Sequence, residues 1–94
     1  MKARSLVGRN LRRLRVAKGL SQEALGLSAE CEPSYVGRIE RGRENPTVDL
    51  LESFANVLGE QIGSFFEVEL AGSRLPSGLT PGRKPRRGEP IAGK

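Results

Sequence analysis

Ser21-Gln22-Glu23-Ala24-Leu25-Gly26-Leu27-Ser28-Ala29-Glu30-Cys31-Glu32-Pro33-Ser34-Tyr35-Val36-Gly37-Arg38-Ile39-Glu40-Arg41-Gly42 is the stretch on which the reading of this chain turns. It holds two helix signatures in succession. Ser21 is an N-cap residue, and Glu23 falls in the positive first turn of the helix that follows. Ala24, Leu25 and Ala29 supply that helix with an apolar face, and it is expected to end near Ser28 or Ala29. Pro33 suits a first helical position, where its missing N–H would have had no partner. Val36 and Ile39 then face one way, and Gly42 follows as a left-handed C-cap.

Further helices flank this pair. Upstream, Val7, Leu11, Leu14 and Ala17 recur at steps of four, three and three, which predicts a helix from Ser5 to Lys18 closed by Gly19. Arg9, Arg12, Arg13 and Arg15 occupy its other faces. Downstream, Asn45-Pro46-Thr47 reads as a turn and an N-cap, and Asp49 sits in the first turn of a fourth helix. Leu51, Phe54, Ala55 and Leu58 form its apolar stripe, and Gly59 closes it. Ile62, Phe65 and Phe66 predict a short fifth helix that seals the core. No internal repeat, strand alternation or coiled-coil heptad is present. The fold expected is all-α: a compact five-helix domain over residues 1–70. From Ala71 onward Gly, Pro, Ser and basic residues dominate, and Leu75, Leu79 and Ile91 stand alone. Such a segment buries too little apolar area to offset its ordering entropy, so residues 71–94 are expected to be a disordered basic tail.

Composition narrows the function. With 94 residues the chain suffices for one small domain. Its net charge of +5 lies in the tail, where Arg74, Arg83, Lys84, Arg86, Arg87 and Lys94 stand against Glu89. Acidic and basic residues balance over 1–70, although the first twenty residues contain basic side chains and no acidic one. The high pI is therefore no argument that the folded part binds nucleic acid. Histidine is absent and Cys31 is the single cysteine. Ser–His and Cys–His nucleophilic arrangements, the usual zinc sites and an internal disulfide are thereby excluded. No Gly-rich loop precedes a helix in the manner of a phosphate cradle. The expectation is a non-enzyme with no cofactor and no metal. The start of the chain lacks the apolar core of a signal peptide, and no segment approaches the roughly 20 apolar residues of a membrane span. A cytoplasmic protein without membrane attachment is expected.

Two short helices joined by a tight turn fit a helix-turn-helix, whose second helix lies in the major groove of DNA. Gly19-Leu20-Ser21-Gln22-Glu23-Ala24-Leu25, Ser34-Tyr35-Val36-Gly37-Arg38-Ile39-Glu40-Arg41-Gly42, Asn45-Pro46-Thr47 and Leu58-Gly59 appear in that order. The series resembles the phage-repressor and Cro type (XRE family) of helix-turn-helix regulators over about residues 6 to 67. The resemblance implies a lambda-repressor-like domain and roles for particular residues. Ser21, with Arg43 and Asn45 in the loop after Gly42, would contact DNA phosphates, and Gln22 a phosphate or the first base. Glu32, Pro33, Ser34, Gly37 and Arg38 would face base edges, Arg38 as a bidentate partner for guanine O6 and N7. Arg15 and Glu40 match a structural ion pair between the first and third helices. Tyr35, Val36 and Ile39 are expected mainly in the core.

Three residues depart from the family pattern. Glu30 stands where Gly is usual, at a position that needs a left-handed backbone or a different helix end. Cys31 is expected as a buried plug. Glu32 and Pro33 replace polar or basic residues at the start of the reading helix. Glu32 can accept from cytosine N4, cap the helix or repel phosphate, and Pro33 has no side-chain donor. The function expected is sequence-specific binding of double-stranded DNA as a homodimer, with the dimer surface on the fourth and fifth helices, near Phe54, Phe65 and Phe66. The alternative is a protein-binding module, such as an antitoxin or anti-regulator, with weakened DNA contacts. The basic tail either adds sequence-independent phosphate contacts or only solubilises the chain.

Overall fold

A computed structural model describes residues 2–68, and the basic segment 71–94 lies outside the described residues. Four α-helices follow one another: α1 (Ala3–Ala17), α2 (Gln22–Ser28), α3 (Pro33–Glu40) and α4 (Val48–Leu58). No strand occurs among the described residues. No helix among them is long and apolar enough to cross a membrane.

The cap chemistry read from the sequence sets the boundaries. Ser21 accepts a hydrogen bond from the Ala24 N–H at 2.9 Å, and Thr47 accepts one from Leu50 at 3.0 Å. Both satisfy amides that a helix start leaves unpaired. The four helices end alike. A residue with positive φ follows each last turn: Gly19, Glu30, Gly42 and Gly59. The next N–H reaches back to a carbonyl five residues upstream, in the pairs Leu20–Arg15, Cys31–Gly26, Arg43–Arg38 and Glu60–Ala55. This is the Schellman arrangement, which uses carbonyls that would otherwise be orphaned.

α1 and α2 pack on α3, and α4 packs against α2 and residues 62–66. Leu11, Leu25, Val36, Ile39, Leu51, Phe54, Leu58 and Phe65 are the buried centre. Two approaches are unusually close. A methyl group at Gly8 of α1 would collide with the Ile39 carbonyl of α3, and one at Gly26 of α2 would meet the Cys31 carbonyl and Pro33. These glycines let α1 and α2 approach the chain around α3 more closely than any residue with a Cβ would.

The structure corrects three expectations. Ile62–Phe66 is a 3-10 helix, not a fifth α-helix. Five residues with Gly63 among them are too few for i→i+4 bonds to accumulate, and the Ser64 N–H bonds Gln61 in the shorter i→i+3 pattern. Ala17 is exposed, while Asn10 is buried and completes the helical stripe Val7, Asn10, Leu11, Leu14. Phe54 and Phe65 are fully buried, as the apolar stripe of the fourth helix and the core-sealing segment require, and Phe66 is exposed. Cys31 is half-buried at the edge of the core, not a fully buried plug.

Candidate nucleic-acid interface

The interface region is assembled from three pieces of chain: the start of α2, the length of α3, and the loop between α3 and α4. A buried ion pair fixes the first two. Arg15 of α1 meets Glu40 at the end of α3 in a fork, Nε to Oε2 at 2.6 Å and Nη2 to Oε1 at 3.0 Å. The remaining Arg15 nitrogen donates to the Leu20 carbonyl at 2.8 Å, and Gln22 Nε2 donates to Glu40 Oε1 at 3.0 Å. The two charged side chains are 11% and 4% exposed. The Glu40 carboxylate, bonded to it, holds the Arg15 guanidinium above the ordinary arginine value against the opposing effect of burial. Four bonds thus tie α1, the α1–α2 turn, α2 and α3 to one carboxylate–guanidinium pair, a strong and directional arrangement.

Gln22 reaches Glu40 by crossing the middle of α3. Its amide lies where a Cβ at Gly37 would come within 3.2 Å, and Arg41 covers the other side. Gly37, expected on the exposed reading face, is therefore buried. The neighbour that its missing side chain admits is Gln22 of the same chain. Gln22 itself is half-buried, and Ser21 is exposed while capping α2.

At the start of α3, Glu32 occupies the N-cap position but makes no capping bond with its side chain. It is exposed, as is Ser34, and Pro33 is half-buried at the first helical position. Arg38, one turn after Ser34, is not a free cation: its Nε donates to Glu44 Oε2 at 2.8 Å, and its Cζ lies 5.4 Å from the centroid of the Tyr35 ring. Arg41, Arg43 and Asn45 are exposed in the loop. The exposed cations of this region are thus Arg41 and Arg43, beside the compensated Arg38.

Sequence reasoning overlooked Glu44 and Asn10. Glu44 was detectable as an acid six residues after Arg38 across a left-handed glycine, a geometry that folds the chain back. Asn10 donates to the Phe65 and Glu67 carbonyls, both at 2.9 Å, and accepts from Arg13. Its sole sequence signal was a polar residue at the one gap in an apolar stripe. Glu30 does adopt the left-handed conformation that the missing glycine required, with φ 60.

A family model described as a helix-turn-helix domain matches residues 6–62. The HTH-type transcriptional regulator y4dJ of Sinorhizobium fredii is 46% identical over 59 residues, covering 63% of this chain and 77% of that protein. Among solved structures, the restriction-modification controller protein C.AhdI from Aeromonas hydrophila superposes with a TM-score of 0.65 at 38% identity. That match covers 67% of this chain and 96% of the controller. Bacillus thuringiensis PlcR, solved in complex with the peptide PapR7 and DNA, matches with a TM-score of 0.62 at 34% identity. There the match covers 72% of this chain and 24% of PlcR. With its two-helix unit, its caps and these likenesses in agreement, the chain belongs to the helix-turn-helix domain family of DNA-binding transcriptional regulators, of the phage-repressor and Cro type.

Proposed function

We propose that this protein binds a specific duplex site as a homodimer, laying α3 along the major groove, and regulates transcription from there without catalytic activity. The observation that carries the reading is the convergence of three pieces of chain. Gln22 lies against Gly37 and Glu40, and Glu44 against Arg38, so the start of α2, the body of α3 and the following loop form one continuous surface. In docking geometries of this kind the reading helix meets base edges while flanking segments hold the backbone. Ser34 and Arg38 are the base readers in this proposal, with Glu32 and Pro33 at the groove edge. Ser21, Arg43 and Asn45 contact phosphates. Gln22 contributes through the end of an amide already committed to Glu40, and Gly37 acts by accommodating Gln22 and not by touching a base.

One domain of this size reads a half-site. Two copies about a two-fold axis would read half-sites about 34 Å apart. The surface assigned to the partner copy lies where α4 begins and the 3-10 segment starts. Val48 and Ile62 line a shallow cleft there, and they remain exposed although apolar.

Selection of duplexes from a random pool by the full chain tests the reading. A two-fold symmetric site should be enriched. Arg38→Ala should relax preference at one base position in each half, and Arg43→Ala should weaken binding to all sequences alike. Return of an unenriched pool, with residual affinity that salt removes for every sequence, would sink the regulator reading and favour the protein-binding alternative.

A further inference from the structure

The pairing of Arg38 with Glu44 follows from the way α3 ends. Gly42 takes a positive φ, its N–H bonds the Ile39 carbonyl, and the Arg43 N–H bonds the Arg38 carbonyl, each at 2.9 Å. The chain reverses in this turn and returns Glu44 alongside the residue whose carbonyl it has just used. The Arg38 guanidinium is then held on two sides: its Nε–H edge by the carboxylate at 2.8 Å, its face by the Tyr35 ring one turn earlier. The Nη1–Nη2 end has no partner among the described residues, and the side chain is 43% exposed.

We infer that Glu44 is a specificity-determining positioning residue that presents the Nη1–Nη2 end of Arg38 to the O6 and N7 edge of a guanine. The inference rests on the major-groove reading above. Arginine has many rotamers, and a fork already oriented loses less freedom on meeting a base. With Nε occupied, only the end-on bidentate geometry remains, which matches two adjacent acceptors on one guanine. The carboxylate also works against the competing use of Arg38. A bare arginine would be drawn to any phosphate, whereas one balanced by Glu44 carries little net charge toward the backbone. Glu44 therefore lowers affinity for arbitrary DNA while raising discrimination. An exposed loop bridge with a purely structural role predicts neither effect, since such pairs contribute little to stability.

The test uses the full chain and the duplex it selects. Arg38→Ala first identifies the base pair that this side chain reads, which must be guanine·cytosine. Binding is then measured for that duplex, for the same duplex with the pair changed to adenine·thymine, and for a random duplex. Glu44→Ala should reduce the preference for guanine about tenfold. It should leave affinity for the random duplex unchanged or higher, with the melting temperature lowered by no more than about 5 °C. Glu44→Gln retains an acceptor for Nε–H and removes the charge. It should keep most of the guanine preference while binding random DNA more tightly. In an Arg38→Ala background, Glu44→Ala should change guanine preference no further. The inference is overturned if Glu44→Ala leaves the preference intact, weakens all three duplexes equally, or acts as strongly without Arg38. It also falls if the pair read by Arg38 is not guanine·cytosine. Absence of any selected duplex for the wild-type chain would instead remove the groove reading on which it stands.

Discussion

Single residues here are governed by whether their neighbours were supplied by the backbone or by another side chain. Glu30 is the case in which the backbone asks for glycine and has a carboxylate-bearing residue. Its φ of 60 closes α2 by the same turn that Gly19, Gly42 and Gly59 make elsewhere. A Cβ in that conformation costs about 1–2 kcal/mol, partly offset by the greater entropy a glycine loses on folding. Glu30→Gly should therefore stabilise the domain by about 0.5–1 kcal/mol in urea unfolding. A loss of stability would show that the Glu30 side chain has a compensating contact. Glu40 is the opposite case, a carboxylate whose partners come from α1 and α2. Glu40→Ala leaves Arg15 charged and largely buried, and unfolding should become about 3 kcal/mol easier. For a domain of total stability about 5–15 kcal/mol, that is a large fraction. The more exposed Glu44 should cost under about 1 kcal/mol when removed, so the two glutamates separate folding from recognition. Burial, with the Glu32 carboxylate adding to it, pushes the Cys31 thiol up, so alkylation near neutral pH should be slower than for a free thiol and accelerate in urea.

Among the elements, the α1 stripe shows how a sequence pattern can be right in period and incomplete in chemistry. Val7, Leu11 and Leu14 identified the buried face, but the fourth member of that face is Asn10, a polar residue. It is buried because the 3-10 segment and Glu67 just after it each turn a carbonyl toward α1, and the Asn10 amide donates to both. Asn10→Ala removes the donor and leaves the Phe65 and Glu67 carbonyls without it. The expected cost is about 1–3 kcal/mol, read as a melting temperature lowered by about 5–15 °C. Amide exchange should quicken in the 3-10 segment before it does in α4. Unchanged exchange there would mean that Phe65, not Asn10, secures the segment. The same helix carries Gly8, a poor helix former whose missing side chain is what the α1–α3 contact requires. Periodicity gave no hint of it, because a glycine on an apolar stripe reads locally as a weakness.

For the whole molecule, several large apolar side chains lie outside the core, Val48, Ile62 and Phe66 among them. Val48 is 70% exposed and Ile62 36% exposed, and the two line one cleft. If a second copy occupies it, Val48→Glu combined with Ile62→Glu should yield a monomer by analytical ultracentrifugation. Affinity for the selected duplex should fall more than tenfold, with the far-ultraviolet spectrum unchanged. A double variant that still sediments as a dimer would place the contact elsewhere, with Phe66 the next surface to alter. With charge balanced over residues 1–70, the proposed DNA contact would rest on placement of a few cations and not on overall field. Arg41 and Arg43 are the exposed examples beside α3.

Sequence alone determined the existence of each helix, most of their ends and most of each apolar face, although α1 starts at Ala3 and not at Ser5. Those properties depend on neighbours within a turn or two: Ser21 and Thr47 at the starts, Gly19, Gly42 and Gly59 at the ends, Leu51, Phe54, Ala55 and Leu58 on one stripe. The order of the motifs carried the family with them. Tertiary structure decided the rest. It placed Gly37 under Gln22, gave Asn10 its carbonyls and brought the Glu44 carboxylate to Arg38. Each of these depends on the distance between two packed segments, which is set by how the whole core fills and which local propensity does not encode.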